Sequence, residues 1–595
     1  MMKKLFSLFI LISLDSFSQM HFGASTPVYV KNQVLYVTGS INLASGSNLY
    51  LRNNSQLLQG TTSSSANSGT GTVSIYQEGT SDNFEYNYWC SPVGAANVAS
   101  GGSNFGITLL NRPVTSTDAI PAVILPAGSY NGSALPLSIA SNWIYKLINA
   151  SNYSAWISVG AASSIAPGEG FTMKGTSGSD TADPEGTGNP NNAGNGRQRY
   201  DFRGRPNDGN IIVPVGTGNA ATLTGNPYPS ALHLNAFLLD PSNSACTRVA
   251  YFWEQDKTVD SHYLSAYRGG YGTYSPGTLG SNGIYVAATF NSYNSDGSLN
   301  TTGTSSGLII ERKYSPIGQG FLINGNTNGQ VTFKNSHRAF YQEGAGLSQF
   351  AKNSKAKDVH IEQENTEISH FKINTIINNA FTRQLALAFM PEATDGVDPG
   401  IDALNMDETL PADVSFWMDN GRYVIQGINF DPSKKIPIVV KADEVCTLKF
   451  YVPEVINFDS SQNIYLFDAL DSSYHDIKTG SYNVTVAAGV YMDRFKIAFN
   501  SGTLGTENHL KRNFTIYQEN KNRTLTALNP DRLQIRSFNL YDITGRAVAN
   551  KKGLQEQEIY SFSTSGLSSG VYIAVFLTDT NEKITQKIII MNSGS

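Results

Sequence analysis

The stretch HFKINTIINNAFTRQLALAF (His370–Phe389) reads as two strands joined by a polar turn. Apolar and polar side chains alternate through Phe371, Lys372, Ile373 and Asn374, the period of a strand with one buried face. Six more runs come after it: RYVIQGI (Arg422–Ile428), KIPIVVKA (Lys435–Ala442), CTLKFYV (Cys446–Val452), NIYLFDAL (Asn463–Leu470), SYNVTVA (Ser481–Ala487) and RFKIAF (Arg494–Phe499). With polar turns between them, the eight predict a two-sheet sandwich over residues 351–505.

Composition extends that reading to the whole chain. The 595 residues include 30 Tyr, 29 Phe and 55 Gly, and only 15% are charged, against about 25% for an average soluble domain. Aromatic residues favour strands, and Gly and Asn serve the turns between them. A chain this long exceeds one core. The expected fold is therefore all-β: several β-sandwich or jelly-roll-like modules in series, ending in a small Ig-like sandwich. The net charge of −5 is spread thinly. No basic stripe suggests nucleic acid, and no polybasic patch suggests an anionic membrane surface.

The beginning of the chain has the layout of a signal peptide. Lys3 and Lys4 precede a run of ten largely apolar residues, Leu5–Leu14, and Ser16-Phe17-Ser18 is a small-x-small cleavage site. Ten such residues are too few to span a bilayer, which needs about 20, and no later segment is long and apolar enough. Residues 1–18 are thus expected to be removed, with Gln19 as the mature start and no transmembrane segment.

Residues 19–84 carry short apolar beats (Val34–Val37, Ile41–Leu43, Leu49–Leu51, Leu57-Leu58) separated by Gly, Ser or Asn, as in a partial β-solenoid or a meander that caps the neighbouring module. The next two stretches, 85–215 and 216–350, repeat four features in one order. The openings are YWCSPV (Tyr88–Val93) and GNPYPS (Gly225–Ser230). Aromatic strands come second, WIYKL (Trp143–Leu147) and AYFWE (Ala250–Glu254). Then come PGEGFTM (Pro167–Met173) and IGQGFLI (Ile317–Ile323), and finally YDFRG (Tyr200–Gly204) and VTFKN (Val331–Asn335). That order predicts an internal duplication. An insert rich in small polar residues, Gly175–Arg197, reads as a mobile loop of the first copy. Basic AKNSKAKD (Ala351–Asp358) and Ser501–His509 read as linkers.

Cys90, Cys246 and Cys446 are too few and too far apart for a disulfide scaffold or a metal cluster. They read as buried thiols, with a Cys90–Cys246 pair left open by the duplication. Eight histidines form no HExxH or HxH pair; His360 and His370 read as solvated residues at a domain edge. The best enzyme candidate is Glu169 in GEGF, since glycoside hydrolysis uses paired carboxylates. Its counterpart, Gln319, cannot titrate, so a role shared by both positions is to tie down a turn. Asp395, Asp398 and Asp402 sit on a Gly-punctuated loop that could wrap calcium, although the spacing lacks the EF-hand register and suits plain turns equally. No other cofactor is suggested. Most of the aromatics read as core, but Tyr263, Tyr267, Tyr271 and Tyr274 in HYLSAYRGGYGTY are Gly-spaced and predict an exposed contact loop.

The last module, 510–595, holds YDITGR (Tyr541–Arg546), LSSGVY (Leu567–Tyr572) and Lys587 before a closing apolar strand. Asp542 and Gly545 bracket a type I turn. In these motifs, their order and their spacing, the segment resembles the C-terminal sorting domain of type IX secretion cargo in Bacteroidetes. On that resemblance the sorting signal comprises Tyr541, Asp542, Gly545, Arg546, Gly570, Val571, Tyr572 and Lys587, and the partner is the type IX secretion machinery. The usual Asn-Pro-rich opening is reduced to Asn529-Pro530, which leaves the sorting subtype open. The resemblance implies export across the outer membrane, then removal of the domain with release or surface attachment. The upstream chain is also similar to large flavobacterial surface proteins that carry the same tail. The expected function is a non-enzymatic secreted or cell-surface protein for adhesion or binding. The alternatives are a carbohydrate-binding protein of a polysaccharide-utilising system and, behind it, a glycoside hydrolase. A polysaccharide or a surface protein is the expected ligand.

Overall fold

The computed structural model describes residues 20–591 apart from 61–64, 97–100, 195, 294–298, 307–311, 345–347, 349, 351–366, 408–409, 502–513, 531 and 580–582. The expected signal peptide, Gln19, the Ala351–Asp358 linker, His360 and all but Ser501 of the second linker lie outside the described residues. The chain divides into two compact units, 1–501 and 502–595. Both are all-β; among the described residues the only α-helix is Leu234–Leu238.

The large unit starts as a solenoid. Strands β1 (Met20–Phe22), β2 (Pro27–Lys31) and β3 (Val34–Val37) lie parallel to β4 (Ile41–Leu43), β5 (Asn48–Arg52) and β6 (Gln56–Gln59). Each coil turns on residues with left-handed backbone, among them Asn32 (φ 55°) and Gly46 (φ 74°), as Asn and Gly tolerate best. A third coil begins where β5 runs parallel to β7 (Thr72–Glu78). Ile41, Leu43, Leu49, Leu51, Leu57, Val73 and Ile75 point inward and are buried.

β7 then pairs antiparallel with Arg199–Pro206. The solenoid sheet therefore continues without a break, in the order β2, β5, β7, Arg199–Pro206, Leu110–Pro113, Ala119–Pro121. The expected boundary at residue 84 falls inside this continuous packing, because β7 supplies the outer partner strand for the next module.

Two nested strand pairs frame residues 72–206, and two frame 211–333. In the first, β7 pairs Arg199–Pro206 and β8 (Tyr86–Cys90) pairs Gly170–Lys174. In the second, Ile211–Val215 pairs Gly329–Phe333 and Ala221–Gly225 pairs Gly320–Gly325. The Gly-x-Gly turn of each set packs on the inner strand of the other. Thr224 Oγ1 donates to the Gly168 carbonyl at 2.7 Å, and the Cys90 N–H donates to the Gly318 carbonyl at 2.9 Å. Gly168 (φ 84°) and Gly318 (φ 80°) both need the left-handed backbone open to glycine.

All eight strands read from the sequence between 370 and 499 are present, in an eleven-stranded sheet that folds over itself. Ala412–Met418 makes the fold-over: its first half pairs with Lys435–Ala442 and its last three residues with Gly421–Ile428. The core is continuous with the preceding modules, since Tyr251, Ile284 and Leu322 share a cluster with Phe371, Leu387 and Phe495. A buried ionic knot lies beside it: Arg383 donates to Asp413 and Asp407 at 2.8 Å each, and Arg422 donates to Asp413 at 3.1 Å. His370, expected to be solvated, is buried, with Nδ1 2.8 Å from the Ile368 carbonyl.

The small unit is the expected sandwich. Thr515–Glu519, Thr524–Leu528 and Ile559–Ser563 form one sheet, and Ala547–Lys552, Ile535–Asp542, Gly570–Thr578 and Lys583–Ile590 form the other. Leu525, Phe538, Tyr560, Phe576 and Ile588 fill the space between them.

Candidate functional site

The residues of the expected sorting signal meet on one sheet of the small unit. Tyr541 opposes Ile573, Asp542 opposes Tyr572, and Ile573 in turn opposes Lys587. The Asp542 carboxylate accepts from the Thr544 hydroxyl at 2.6 Å, the Thr544 N–H at 3.0 Å and the Arg546 N–H at 3.1 Å. These bonds, the Thr544 hydroxyl first, hold its carboxyl below the usual range. Gly545 has φ 80°, and the Arg546 Nε lies 3.2 Å from Asp542. Tyr572 is buried, its hydroxyl donating to the Ser568 carbonyl at 2.9 Å, while Gly570 and Val571 begin its strand. Lys587 is exposed. The turn chemistry read from the sequence is thus a single hairpin corner that Asp542 organises.

Only the first half of the expected aromatic loop, with Tyr263 and Tyr267, lies outside a strand. Gly269–Ser275 is a strand, paired with Cys246–Gln255. Tyr274 is buried and its hydroxyl bonds Asn235 and the Asn282 carbonyl. Tyr267 is buried under Lys174, whose amine donates to its hydroxyl. Tyr271 is half-buried, 3.0 Å from the Tyr88 hydroxyl, and leans edge-on against Trp253. Only Tyr263 is free to face solvent, at 80% exposure. Glycines every few residues read as loop from sequence. Here they let a strand pass close to large rings, and a Cβ on Gly269 would sit 2.5 Å from Trp253 Cζ2.

Asp395, Asp398 and Asp402 do not converge on a cation. Asp395 is exposed and pairs with Lys434, and Asp398 accepts from Thr394. Asp402 is buried and accepts from the Asp398 and Gly427 N–H groups at 2.6 and 2.7 Å. Asp398 and Asp402 thus cap the turn, while Asp395 pairs with a lysine. The three cysteines are buried and unbridged, so Cys90 and Cys246 do not pair. Glu169 accepts from Lys146 and from the Ala166 N–H, both at 2.8 Å, while Gln319 donates to the Gly320 carbonyl at 2.7 Å. Each side chain holds its own turn.

A polar cleft of about 700 Å³ lies elsewhere in the large unit. The solenoid turn Asn53–Gln56 and β7 form its floor, Glu185, Thr187, Asn189, Arg197 and Arg199 one wall, and Pro316, Ile317 and 341–344 the other. Seven amide side chains line it: Asn32, Asn53, Asn54, Gln56, Gln77, Asn189 and Gln342. Asn53 (φ 50°) and Asn54 (φ 61°) take the left-handed backbone that puts this turn at the rim.

The charges of the cleft are already engaged. Glu78 takes Arg197 Nε at 2.8 Å and Arg199 Nη2 at 2.6 Å, and Glu185 lies 3.6 Å from Arg199. Gln77 donates to Glu343 at 2.9 Å, and Gln342 donates to Asn32 at 2.6 Å. Two tyrosines are half-buried in its walls. Tyr76 has the buried Arg52 guanidinium 3.6 Å from its ring centre, and Tyr341 stacks on Tyr314 at 4.3 Å. Glu185, Thr187, Asn189 and Arg197 of this wall belong to the segment Gly175–Arg197 expected to be mobile. It is pinned instead by Asp180, which accepts from Arg112 (2.7 Å, twice) and from Asn191 (2.9 Å). The sequence offered little signal for this cleft: its lining comes from separate stretches that each look like ordinary turns.

Comparison with known proteins places most of the large unit. Residues 126–499 match a domain of unknown function, DUF8693, and because the match spans more than half of the chain, the chain belongs to that family. Residues 520–591 match the secretion system C-terminal sorting domain. The chain is accordingly a type IX-sorted protein of the kind characteristic of Bacteroidetes. No curated protein matches it. Among solved structures it is similar to PorZ, an essential surface component of the type IX secretion system of Porphyromonas gingivalis, at 11% identity over 30% of this chain and 25% of that one, with a TM-score of 0.12. It thus spans a quarter of that relative's length. It is also similar to the BSP domain of a biofilm-associated protein, at 8% identity over 88% of this chain and 96% of that one, again with a TM-score of 0.12. Superpositions this loose carry no argument about function. No helix among the described residues is long and apolar enough to cross a membrane.

Proposed function

We propose that this chain is a non-enzymatic protein of the cell surface or the secreted fraction, and that its large unit binds an uncharged oligosaccharide in the polar cleft. The observation that carries the proposal is the lining: the amides of Asn32, Asn53, Asn54, Asn189 and Gln342, exposed or half-exposed and of a kind that donates and accepts, beside two half-buried tyrosine rings. Hydroxyl-rich sugars need that mixture, and their apolar ring faces stack on aromatic side chains. Of the two binding roles expected from the sequence, adhesion to a protein and capture of a glycan, the amide-rich concavity favours the second.

Binding is favoured over hydrolysis because of how the acids are held. A glycosidase needs one carboxyl that protonates the leaving oxygen and a second that acts as nucleophile or base. Glu78 is clamped by two guanidinium groups, and Glu343 and Glu185 are hydrogen-bonded to Gln77 and to the Asn53 N–H. Export by way of a cleaved N-terminal signal belongs to the same proposal. So does descent of residues 72–206 and 211–333 from one duplicated unit, supported by their matching nested strand pairs.

The test is titration of the exported protein with a panel of neutral and acidic polysaccharides. A stacked ring contributes about 0.5–1.5 kcal/mol, so Tyr341→Ala should weaken saturable binding of a neutral glycan up to about tenfold. Absence of saturable glycan binding, or binding indifferent to Tyr341→Ala, would reject this site.

A further inference from the structure

The turn between β7 and β8 and the loop after Cys246–Gln255 bring three acids together far apart in sequence. One carboxylate oxygen from each of Asp82, Glu85 and Asp260 lies within 4.8 Å of the others. Three carboxylates this close repel one another unless a proton or a cation lies between them. Glu85 is only 3% exposed. Its Oε2 accepts from the Asp82 N–H at 3.0 Å, while its Oε1 is buried with no hydrogen-bond donor. Beside it, Asn83 is 2% exposed, and its side-chain oxygen also has no donor. Buried oxygen acceptors without donors are costly, and these belong to the same short turn as two of the acids.

Lys257 and Lys174 are near enough to attract Glu85 and Asp82, but their hydrogen bonds go elsewhere. Lys257 donates to the Thr80 carbonyl. Lys174 donates to Tyr267, lies 3.3 Å from His262 Nδ1, and sits over the rings of Trp143 (4.0 Å), Tyr267 (4.6 Å) and Tyr86 (4.9 Å). His262 Nε2 meets the Asn131 side chain at 2.6 Å. Among the described residues, no ion pair joins a Lys, Arg or His side chain to any of the three acids. Burial pushes the Glu85 carboxyl up to about 7, a penalty that a bound cation would relieve.

We infer that Asp82, Glu85 and Asp260 form a calcium site that clasps the first module to the second. The donors are all oxygen, which selects a hard cation, and two unrelated loops suit the flexible shell of six to eight oxygens that calcium accepts better than the strict octahedron of magnesium. Water and neighbouring carbonyls complete the shell, and exposed Asp260 leaves an entry path. The site is separate from the polar cleft, so neither proposal depends on the other.

The experiment uses the full chain, stripped with chelator and titrated with calcium, followed by calorimetry, thermal unfolding and terbium luminescence. The expected result is one ion bound in the range usual for extracellular modules, about 0.1–1 mM, with a higher unfolding temperature in calcium than in chelator. Terbium should be sensitised by the nearby Trp143 and Tyr86. Glu85→Gln and Asp260→Asn should each abolish the thermal shift and the luminescence, and Asp395→Asn should leave both unchanged. Asp260 is exposed, so its variant reports on the site even if Glu85→Gln fails to fold. Lack of any calcium effect on the native chain, its persistence in Asp260→Asn, or its loss in Asp395→Asn would each overturn the assignment.

Discussion

Asp402 illustrates how burial turns one side chain into a pH sensor of stability. Loss of water pushes its carboxyl up to about 7, against the pull of the Asp398 and Gly427 N–H groups. Its pKa in the unfolded chain is about 3.9. Between the two values the folded protein holds the proton more firmly than the unfolded one, so stability falls as pH rises. The contribution is complete below about 4 and gone above about 7. Unfolding by denaturant in chelator should therefore show a lower midpoint at pH 8 than at pH 5, with a smaller difference in Asp402→Asn. Part of the difference should survive in that variant, because Glu85 is raised in the same direction. Equal slopes in the two chains would contradict this account. Sequence shows an acid in a turn here, and it cannot show that Gly427 closes over it.

Glycine substitutions separate backbone preference from packing at the level of strands and turns. At Gly545 a Cβ would meet nothing within 4 Å, and only the φ of 80° resists it. Gly545→Ala should then cost about 1–2 kcal/mol of small-unit stability, the price of a left-handed alanine. At Gly320 a Cβ would stand 2.6 Å from the Trp89 nitrogen and from the Tyr88 carbonyl carbon, both backbone atoms of the opposing inner strand. Gly320→Ala must push two strands apart and should cost the large unit more, about 1–3 kcal/mol or above. Urea midpoints of the two units, followed separately, would check both; a negligible effect at Gly320 would mean that the inner pairs yield easily. The same strands explain what was legible. Strand-like runs located eight of the eleven strands described between 370 and 499, among them Arg383–Phe389, which is buried throughout. Ala412–Met418 was not one of the eight, although Ala412, Val414 and Phe416 alternate with Asp413 and Ser415; its polar positions are buried as well, Asp413 against Arg383 and Arg422.

For the complete chain, the two units have separable roles. Removing Phe514–Ser595 deletes the sorting sandwich and leaves the large unit, with its own continuous core, intact. The truncated protein should accumulate in the periplasm in a folded state, and fractionation of cells expressing it would reveal this. Normal appearance outside the cell would show that the tail is dispensable for export. Asp542→Ala removes the three hydrogen bonds that shape the hairpin corner. It should reduce export more than it reduces expression, as measured by the ratio of extracellular to total protein.

The sequence by itself determined the all-β class, eight of the sandwich strands between 370 and 499, the short beats of the solenoid, and the sorting tail with its Asp542–Gly545 turn. All of these are local: alternation, turn chemistry and a motif occupy a few consecutive residues, and their physical consequences are decided within that span. Only the tertiary structure decided what the isolated residues do. It buried three of the four tyrosines between 263 and 274 to different depths, dispersed Asp395, Asp398 and Asp402 onto separate donors, and kept Cys90 apart from Cys246. It also assembled the polar cleft and the Asp82, Glu85 and Asp260 cluster from segments far apart in the chain. Such sites depend on which turns the sheets bring face to face. That is set by strand order and core packing, through contacts between distant residues that no local pattern encodes.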